Sequence, residues 1–392
     1  MIRIPTFAFV LYCLFVFPQS SSIAIDETKA RTIDQSLELA AKNKAEIQKA
    51  LKECNQSPLE TKSIRFLVQH MPPEDLQTLS SKFLVENVRI AIKARNESKW
   101  AQKVPEDIFL NDVLPYASIN ERRDNWRQDF YSRFRDLVKD CNTPGEAAQE
   151  LNKNVFAILK VRYSTKRKKP DQSPYESMEN GLASCTGLSV ILTDACRAVG
   201  VPARMAGTPL WVNKRGNHTW VEVWDEGHWK FTGACEYDKN GLNRGWFKGI
   251  ASQANPDDPR HRIYATSFRR TGGHFPMVWK RRSKEVPGVD VTWRYIGKPK
   301  PANKDEVTVA IQLIGPNGKR LAGKISVGKD SKVIAEGKSR DESNDANDYF
   351  ELNLTPGEYE VKYESKAFKG SEKISVNEKN NQIHRIRIQP KK

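Results

Sequence analysis

Cysteine is scarce in this chain. Six cysteines occur among 392 residues, and one of them, Cys13, lies in an apolar stretch near the start. Without that stretch five remain, an odd number that leaves at least one thiol unpaired. So few cysteines exclude a disulfide scaffold, and hydrophobic cores must hold the chain together. Cys54 and Cys141 could still form one disulfide.

Metal-binding motifs are also missing. The sequence contains no Cys-x-x-Cys pair, no His/Cys cluster with zinc-ligand spacing and no visible calcium-binding loop. We therefore expect no metal site and no cofactor.

Long apolar runs are limited to the start of the chain. An uncharged run from Ile4 to Phe17 follows Arg3, and the first acid is Asp26. This order of regions is typical of a secretory signal peptide, and the run is too short for a comfortable membrane span. We expect residues 1–24 to be removed, and the mature protein to be secreted or extracytoplasmic without an integral membrane span.

Acidic residues are outnumbered by basic ones. The sequence has 64 Lys and Arg against 48 Asp and Glu, a formal net charge of +16. A positive field favours anionic partners, but no nucleic-acid motif accompanies it, so we expect no nucleic-acid partner. An anionic cell-wall or matrix polymer stays as one explanation of the charge, and solubility explains it as well.

The pattern of apolar residues divides the chain into three regions. Residues 25–140 show helical spacing, and residues 141–297 mix helical and alternating patterns. After a Pro- and Lys-rich linker, short alternating strands over 303–392 predict an all-β sandwich. The fold class expected is α+β.

Cys185 lies at the start of a predicted helix. Apolar residues recur on one face from Leu188 to Val199, and Gly200-Val-Pro202 ends the run. A helix N-terminus favours an anion and thus a thiolate, which makes Cys185 a candidate nucleophile. Cys196, eleven residues later on the same helix, is ~16 Å away at ~1.5 Å per residue, so we expect it in the core.

His218 begins an alternating stretch that predicts a strand. Its sequence is HTWVEVW, followed by a turn at Asp225-Glu-Gly-His228 and a returning strand from Trp229. A rigid strand therefore carries the imidazole. The tryptophans fall at spacings typical of core packing, which we favour over carbohydrate binding.

These features together resemble the transglutaminase-like superfamily over roughly residues 142–250. The resemblance implies a papain-like core in which Cys185 is the nucleophile and His218 the base. It also implies an Asp on the next strand that orients the histidine, but that position here is Gly233.

The third catalytic group is therefore open. A hairpin with Trp224 opposite Trp229 would place His218 across from Cys235, and a bulge near Gly233 would turn a carboxylate toward the histidine. We rank Glu236 first and Asp238 second, and a Cys–His pair without a carboxylate is the alternative.

Two further stretches resemble parts of exported proteins. Leu354-Thr-Pro-Gly-Glu-Tyr-Glu-Val361 resembles carboxypeptidase-regulatory-like and related Ig-like modules, which implies an accessory domain that positions or tethers a catalytic one. Residues 104–127 resemble a segment that precedes the core in some exported members, and we favour helix packing over substrate contact for it.

The sequence thus predicts an exported cysteine-dependent amide hydrolase, a peptidase or amidase, that acts on a peptide or protein amide. Cys185 would form an acyl-enzyme with His218 as base, Glu236 as the orienting group and the backbone N–H of Cys185 as oxyanion donor. A cross-linking acyltransferase would use the same residues, and a non-catalytic binding or scaffold protein is the second alternative.

Overall fold

The computed structural model describes residues 29–297 and 305–388. The expected signal peptide, residues 1–24, lies outside them. The elements confirm the α+β class, with helices first, then a mixed helix and sheet region, then β-sheets. None of the helices in the described ranges is both long enough and apolar enough to cross a bilayer.

The N-terminal region is helical. Its helices are α1 (Ile33–Leu39), α2 (Lys44–Glu53), α3 (Pro58–His70), α4 (Pro73–Thr78), α5 (Ser81–Glu97), α6 (Lys99–Gln102), α7 (Glu106–Asp112) and α8 (Arg127–Val138). Thr32, Ser57 and Ser80 cap α1, α3 and α5 by accepting a backbone N–H of the first turn. Their apolar faces share one buried core that includes Ile64 and Leu84.

The central region combines helices with a sheet. Its elements are α9 (Pro144–Leu159), β1 (Arg162–Tyr163), α10 (Pro174–Asn180), β2 (Leu182–Ala183), α11 (Cys185–Ala198), β3 (Ala203–Thr208), β4 (His218–Asp225), β5 (His228–Thr232), α12 (Lys248–Ala251), β6 (Tyr264–Thr266) and β7 (Gly288–Asp290). The last five strands form an antiparallel sheet in the order β5-β4-β3-β6-β7. Helix α11 packs against this sheet and against α8 and α9, and all its residues after Cys185 are buried.

The β4–β5 hairpin has the predicted register at its turn. Trp224 lies opposite Trp229, and Glu226 and Gly227 adopt positive φ angles that a tight hairpin turn requires. The pairing stops at Thr232, so the expected pair of His218 with Cys235 does not form.

Asn152 on α9 explains why the ladder stops. Its Nδ2 donates to the Gly233 carbonyl at 2.9 Å, and its Oδ1 accepts from the backbone N–H of Cys235 at 2.9 Å. These bonds satisfy the backbone after Thr232 and direct it away from β4.

The C-terminal region is all β, as predicted. Its strands are β8 (Val307–Ile314), β9 (Gly323–Lys329), β10 (Lys332–Ser339), β11 (Phe350–Leu354), β12 (Gly357–Glu364), β13 (Lys369–Val376) and β14 (Gln382–Arg387). They form two sheets, β10-β9-β12-β13 and β11-β8-β14, in which only the β14–β8 pair is parallel. The apolar faces of both sheets share one hydrophobic cluster.

Arg127 links the N-terminal helices to α11. Its buried guanidinium donates to the carbonyl oxygens of Val113, Leu114 and Pro115 and to that of Arg197 near the end of α11. Because helix ends leave carbonyls without intrahelical donors, this side chain supplies hydrogen bonds that the fold would otherwise lack. The segment that precedes the core thus packs against it, as we favoured.

Candidate active site

Cys185 is the first residue of α11. The Ser184 hydroxyl caps this helix by accepting the N–H of Gly187 at 3.1 Å, and it donates to the Pro170 carbonyl at 2.7 Å. Strand β2 ends immediately before and pairs with β1. The half-buried thiol therefore sits on a helix start that is anchored on both sides, where first-turn backbone N–H groups lack intrahelical acceptors.

His218 is the first residue of β4 and is buried. Its ring lies among aromatic rings, with centroid distances of 4.8 Å to Trp246, 5.0 Å to Phe247 and 6.1 Å to Trp211. These rings exclude water and restrict the orientation of the imidazole.

Neighbouring threonines join the two elements that carry Cys185 and His218. The hydroxyls of Thr186 and Thr219 lie 3.1 Å apart, so the first turn of α11 and the start of β4 are hydrogen-bonded to each other. The nucleophile and base predicted from the sequence therefore face each other.

The carboxylate that the structure places against His218 is Asp345. Its Oδ2 lies 3.4 Å from Nδ1 of His218, and donor atoms of Cys185, His218 and Asp345 all lie within 4.8 Å of one another. Asp345 belongs to the loop between β10 and β11, so the C-terminal region contributes a side chain to the site.

Several contacts fix this loop on the central region. The backbone N–H of Ala346 donates to the hydroxyl of Tyr163 at 3.0 Å, and Asn347 donates to the Asn217 carbonyl at 3.2 Å. Close by, Arg215 forms an ion pair with Glu351. Within the loop, the N–H of Asn347 donates to Oδ1 of Asp345 at 2.8 Å, which leaves Oδ2 for the imidazole.

The His218–Asp345 pair favours its charged form. Burial alone would lower the pKa of His218, but the charges of Asp345 and Cys185 offset it and raise this pKa well above its usual range. Burial would likewise raise the pKa of Asp345, yet the imidazolium and the Asn347 N–H hold it below its ordinary value. Both pKa shifts therefore favour an imidazolium beside a carboxylate.

Glu236, ranked first from the sequence, takes a different place. Its Oε1 accepts the indole N–H of Trp246 at 3.0 Å, and a Cβ built on Gly233 would lie only 1.9 Å from its Oε2. The Glu236 carboxyl therefore fills the space that a side chain at position 233 would need. Burial raises the pKa of Glu236 to about 7; the positive charge of His218 opposes this rise, and the negative charge of Asp345 adds to it.

The ranking of carboxylates changes accordingly. Glu236 is near enough for its charge to interact with that of His218, but the ion pair to the imidazole comes from Asp345. Asp238, ranked second, hydrogen-bonds Asn240 and Arg244 near the surface. The sequence around Asp345 is an acidic loop like many others, and no local signal places it at the site.

The remaining described cysteines are free thiols. Cys54 is buried in the N-terminal core and Cys141 packs against the core around α11, so the disulfide considered from the sequence does not form. Cys196 is buried, as expected, whereas Cys235 is exposed.

The same geometry allows a second chemistry. One Cys, one His and one Asp with donor atoms this close are also a set that zinc accepts. We therefore include metal content in the experiments below.

A comparison with family models identifies the central region. Residues 132–233 match the model of the transglutaminase-like superfamily, and the matched span contains Cys185, His218 and Gly233. Residues 132–233 are transglutaminase-like. The resemblance stated from the sequence to the transglutaminase-like superfamily is thereby confirmed for these residues.

Solved structures also resemble the chain. A candidate cysteine protease from Cytophaga hutchinsonii is 16% identical with a TM-score of 0.29 and covers 50% of this chain and 66% of its own. A candidate protease from Parabacteroides distasonis is 8% identical with a TM-score of 0.25, over 62% of this chain and 36% of its own. The TIE protein of Bacillus anthracis is 10% identical with a TM-score of 0.18, over 49% and 30%. The chain thus spans less than two thirds of the length of each structure, and no curated protein matches it.

Proposed function

We propose that this protein is an exported cysteine-dependent amide hydrolase, a peptidase or amidase, with Cys185 as nucleophile and His218 as base. The observation that carries the proposal is the close approach of Cys185, His218 and Asp345, with donor atoms within 4.8 Å of one another. A nucleophile, a base and an orienting acid are the parts that acyl transfer requires. Export rests on the sequence of residues 1–24 alone.

In the first half of the reaction, the Cys185 sulfur attacks the amide carbonyl carbon. A C–S bond forms, the C–N bond breaks, and the His218 imidazolium gives its proton to the leaving amine. The carbonyl oxygen carries the developing negative charge, and the backbone N–H of Cys185 at the start of α11 is placed to stabilise it.

In the second half, water resolves the thioester. His218 accepts a proton from the water, whose oxygen bonds to the acyl carbon as the C–S bond breaks. The carboxylic acid leaves and Cys185 is restored. Throughout, Asp345 orients the imidazole and stabilises its charged form.

A cavity beside the site suits a peptide substrate. Its volume is about 390 Å³. On the side of the central region it is lined by Trp211 and Trp246, the two tryptophans that flank His218. Asn347 and Tyr349 line it on the side of the C-terminal region. Arg215 and its ion-pair partner Glu351 also line the cavity. A cleft with aromatic walls and a few polar groups is typical of a site for an extended organic substrate.

Thiol labelling tests the nucleophile. In the full-length protein, we expect iodoacetamide at pH 6 to modify Cys185 faster than the exposed Cys235, and His218→Gln to abolish this preference. Mass spectrometry of the labelled peptides gives each rate. Uniformly slow labelling would favour the binding or scaffold alternative.

Turnover tests the whole proposal. A peptide mixture is incubated with the protein, and the covalent adduct is identified by mass; Cys185→Ala should abolish both the adduct and hydrolysis, whereas Cys235→Ala should retain them. Activity in a folded Cys185→Ala protein would exclude this mechanism.

Two added measurements separate the remaining alternatives. A labelled primary amine that becomes joined to the acyl group of the substrate, instead of release of the free carboxylic acid, would indicate a cross-linking transferase. Stoichiometric zinc in the purified protein, lost together with thiol protection in Asp345→Asn, would indicate a metal site instead.

A further inference from the structure

A second cavity, of about 530 Å³, lies away from the candidate active site. Its walls come from the end of α3, the segment before α8 and residues 266–287. Arg197, near the far end of α11, is one of its lining residues. Arg197 lies twelve positions after Cys185, which is ~18 Å at ~1.5 Å per residue, so the two sites occupy opposite ends of the helix.

Basic side chains outnumber acidic ones in the lining of this cavity. They include Arg31, His70, Arg123, Arg197, Arg270 and Lys284. Among the described residues, the lining contains a single carboxylate, Glu285, which forms an ion pair with Lys280 at 2.7 Å. The cavity therefore has an excess of positive charge.

Some of these cations are fully accommodated by the protein. Arg123 forms an ion pair with Asp75 at 3.0 Å and approaches Glu121 at 3.7 Å. Arg197 donates to backbone carbonyls, including those of Asp112 and Ala203. Neither guanidinium requires a further partner.

Arg31 and Arg270 are different. Arg31 is only 2% exposed and donates to the Met71 carbonyl, but its Nε has no hydrogen-bond partner among residues 29–297 and 305–388. The Nε of Arg270 is likewise buried and without a partner within those ranges, where neither guanidinium forms an ion pair with a carboxylate. Burial first, and then the charge of Arg270, lower the pKa of Arg31 to about 10.

His70 completes the group with a neutral ring. Its Nδ1 accepts the backbone N–H of Arg270 at 3.2 Å, which assigns the ring proton to Nε2. Burial, together with nearby arginines, lowers its pKa to about 4, so it adds a donor and no charge near neutral pH.

We propose that this cavity binds a small oxyanion, a phosphate or carboxylate group, between the guanidinium groups of Arg31 and Arg270, with His70 as an additional donor. A buried guanidinium near a half-buried one is unfavourable when neither has a counter-charge, and an anion with several oxygen acceptors relieves both the repulsion and the unmade hydrogen bonds. The planar guanidinium fork matches such oxyanions.

Thermal unfolding of the full-length protein tests this site. The protein is titrated with inorganic phosphate and, separately, with citrate, while sodium chloride keeps the ionic strength constant. We expect a saturable rise in Tm, since a ligand that binds only the folded state stabilises it. A response to phosphate alone identifies a phosphate site, and a response to citrate alone identifies a carboxylate site.

Variants locate the site. Arg270→Gln, at a half-buried position, and Arg31→Gln should each raise the apparent Kd at least tenfold. Arg281→Gln removes the same charge from an exposed position outside the cavity lining and should respond like the wild type. Cys185→Ala should also respond normally, which separates this site from the proposed catalysis.

Two results would overturn the proposal. One is the absence of any saturable response beyond that to chloride at equal ionic strength. The other is an equal loss of response in Arg281→Gln and Arg270→Gln, which would show a general charge effect.

Discussion

At the scale of single residues, His218 interacts with two carboxyl groups, those of Asp345 and Glu236, which differ in their charge near neutral pH. Asp345 is ionised near neutral pH because its pKa is lowered, whereas Glu236, with a pKa of about 7, is partly protonated. Only the ionised group stabilises an imidazolium throughout the neutral range. This physical difference, and the 3.4 Å contact, favour Asp345 as the orienting residue.

Asp345→Asn should lower the rate of hydrolysis ~10²–10⁴-fold, because the imidazole loses the group that orients it and stabilises its charge. Asp341→Asn is the matched control, since Asp341 lies in the same loop and its carboxylate bonds Ser343. The measurement is the steady-state rate of hydrolysis at pH 7 for both variants. Equal rates would exclude Asp345 from the mechanism.

Glu236→Gln should change the rate in a pH-dependent way. At pH 6 the wild-type carboxyl is mostly protonated, so an amide resembles it and the rates should be similar. At pH 8 the wild-type group is ionised and supports the imidazolium, so the variant should be slower. A rate ratio that does not vary between pH 6 and pH 8 would contradict this assignment.

Gly233→Asp, which restores the residue type that the superfamily resemblance implies, should destabilise the protein. Its Cβ would meet the Glu236 carboxyl at 1.9 Å. The double variant Gly233→Asp/Glu236→Ala removes that obstacle and should recover the lost Tm. Unchanged Tm values in both would show that the Glu236 side chain moves away at little cost.

At the scale of elements, α11 determines the geometry of the site. Ser184 fixes its start beside the nucleophile, and Arg127 of α8 binds the carbonyl of Arg197 near its end. Backbone groups at both ends of α11 thereby have hydrogen-bond partners, and all residues of the helix after Cys185 are buried. A helix held in this way keeps Cys185 in register with β4.

Arg127→Leu should destabilise the protein by ~3–5 kcal/mol, because several buried carbonyls would lose their donor at once. Arg133→Leu is the control on the same helix, since Arg133 forms a more exposed pair with Asp129 and should cost below ~1 kcal/mol. Urea denaturation gives both values. A similar loss in the two variants would argue against a special role for Arg127.

At the scale of the whole molecule, the candidate active site takes its side chains from two regions. The transglutaminase-like domain provides Cys185 and His218, and the C-terminal region provides Asp345. The ion pair between His218 and Asp345 therefore also holds the two regions together.

The stability of this pair should depend on pH. The lowered pKa of Asp345 stabilises the folded state above ~pH 4, and this contribution is lost as the pH falls through the folded-state value. The raised pKa of His218 stabilises it below ~pH 6.5, and this contribution is lost as the pH rises through the folded-state value. The Tm difference between wild type and Asp345→Asn should thus be largest between ~pH 4 and ~pH 6.5. A constant difference up to pH 9 would indicate lost packing and not charge.

Much of the fold and half of the candidate site could be predicted from the sequence. The start of α11 at Cys185, the strand that begins at His218, and the Trp224–Trp229 register all depend on residues a few positions apart. Periodicity and turn chemistry carry that information locally.

Only the tertiary structure decided which groups complete the sites. Asp345 reaches His218 because the β10–β11 loop docks on Tyr163 and Asn217. Arg31 and Arg270 line one cavity because the segment before α1 and the end of α3 pack near residues 266–287. Such encounters join residues far apart in the chain, and their distances depend on how whole surfaces pack. No local pattern encodes that packing. The sequence by itself therefore determined the candidate nucleophile and the candidate base, and the packing of regions determined their charged partners.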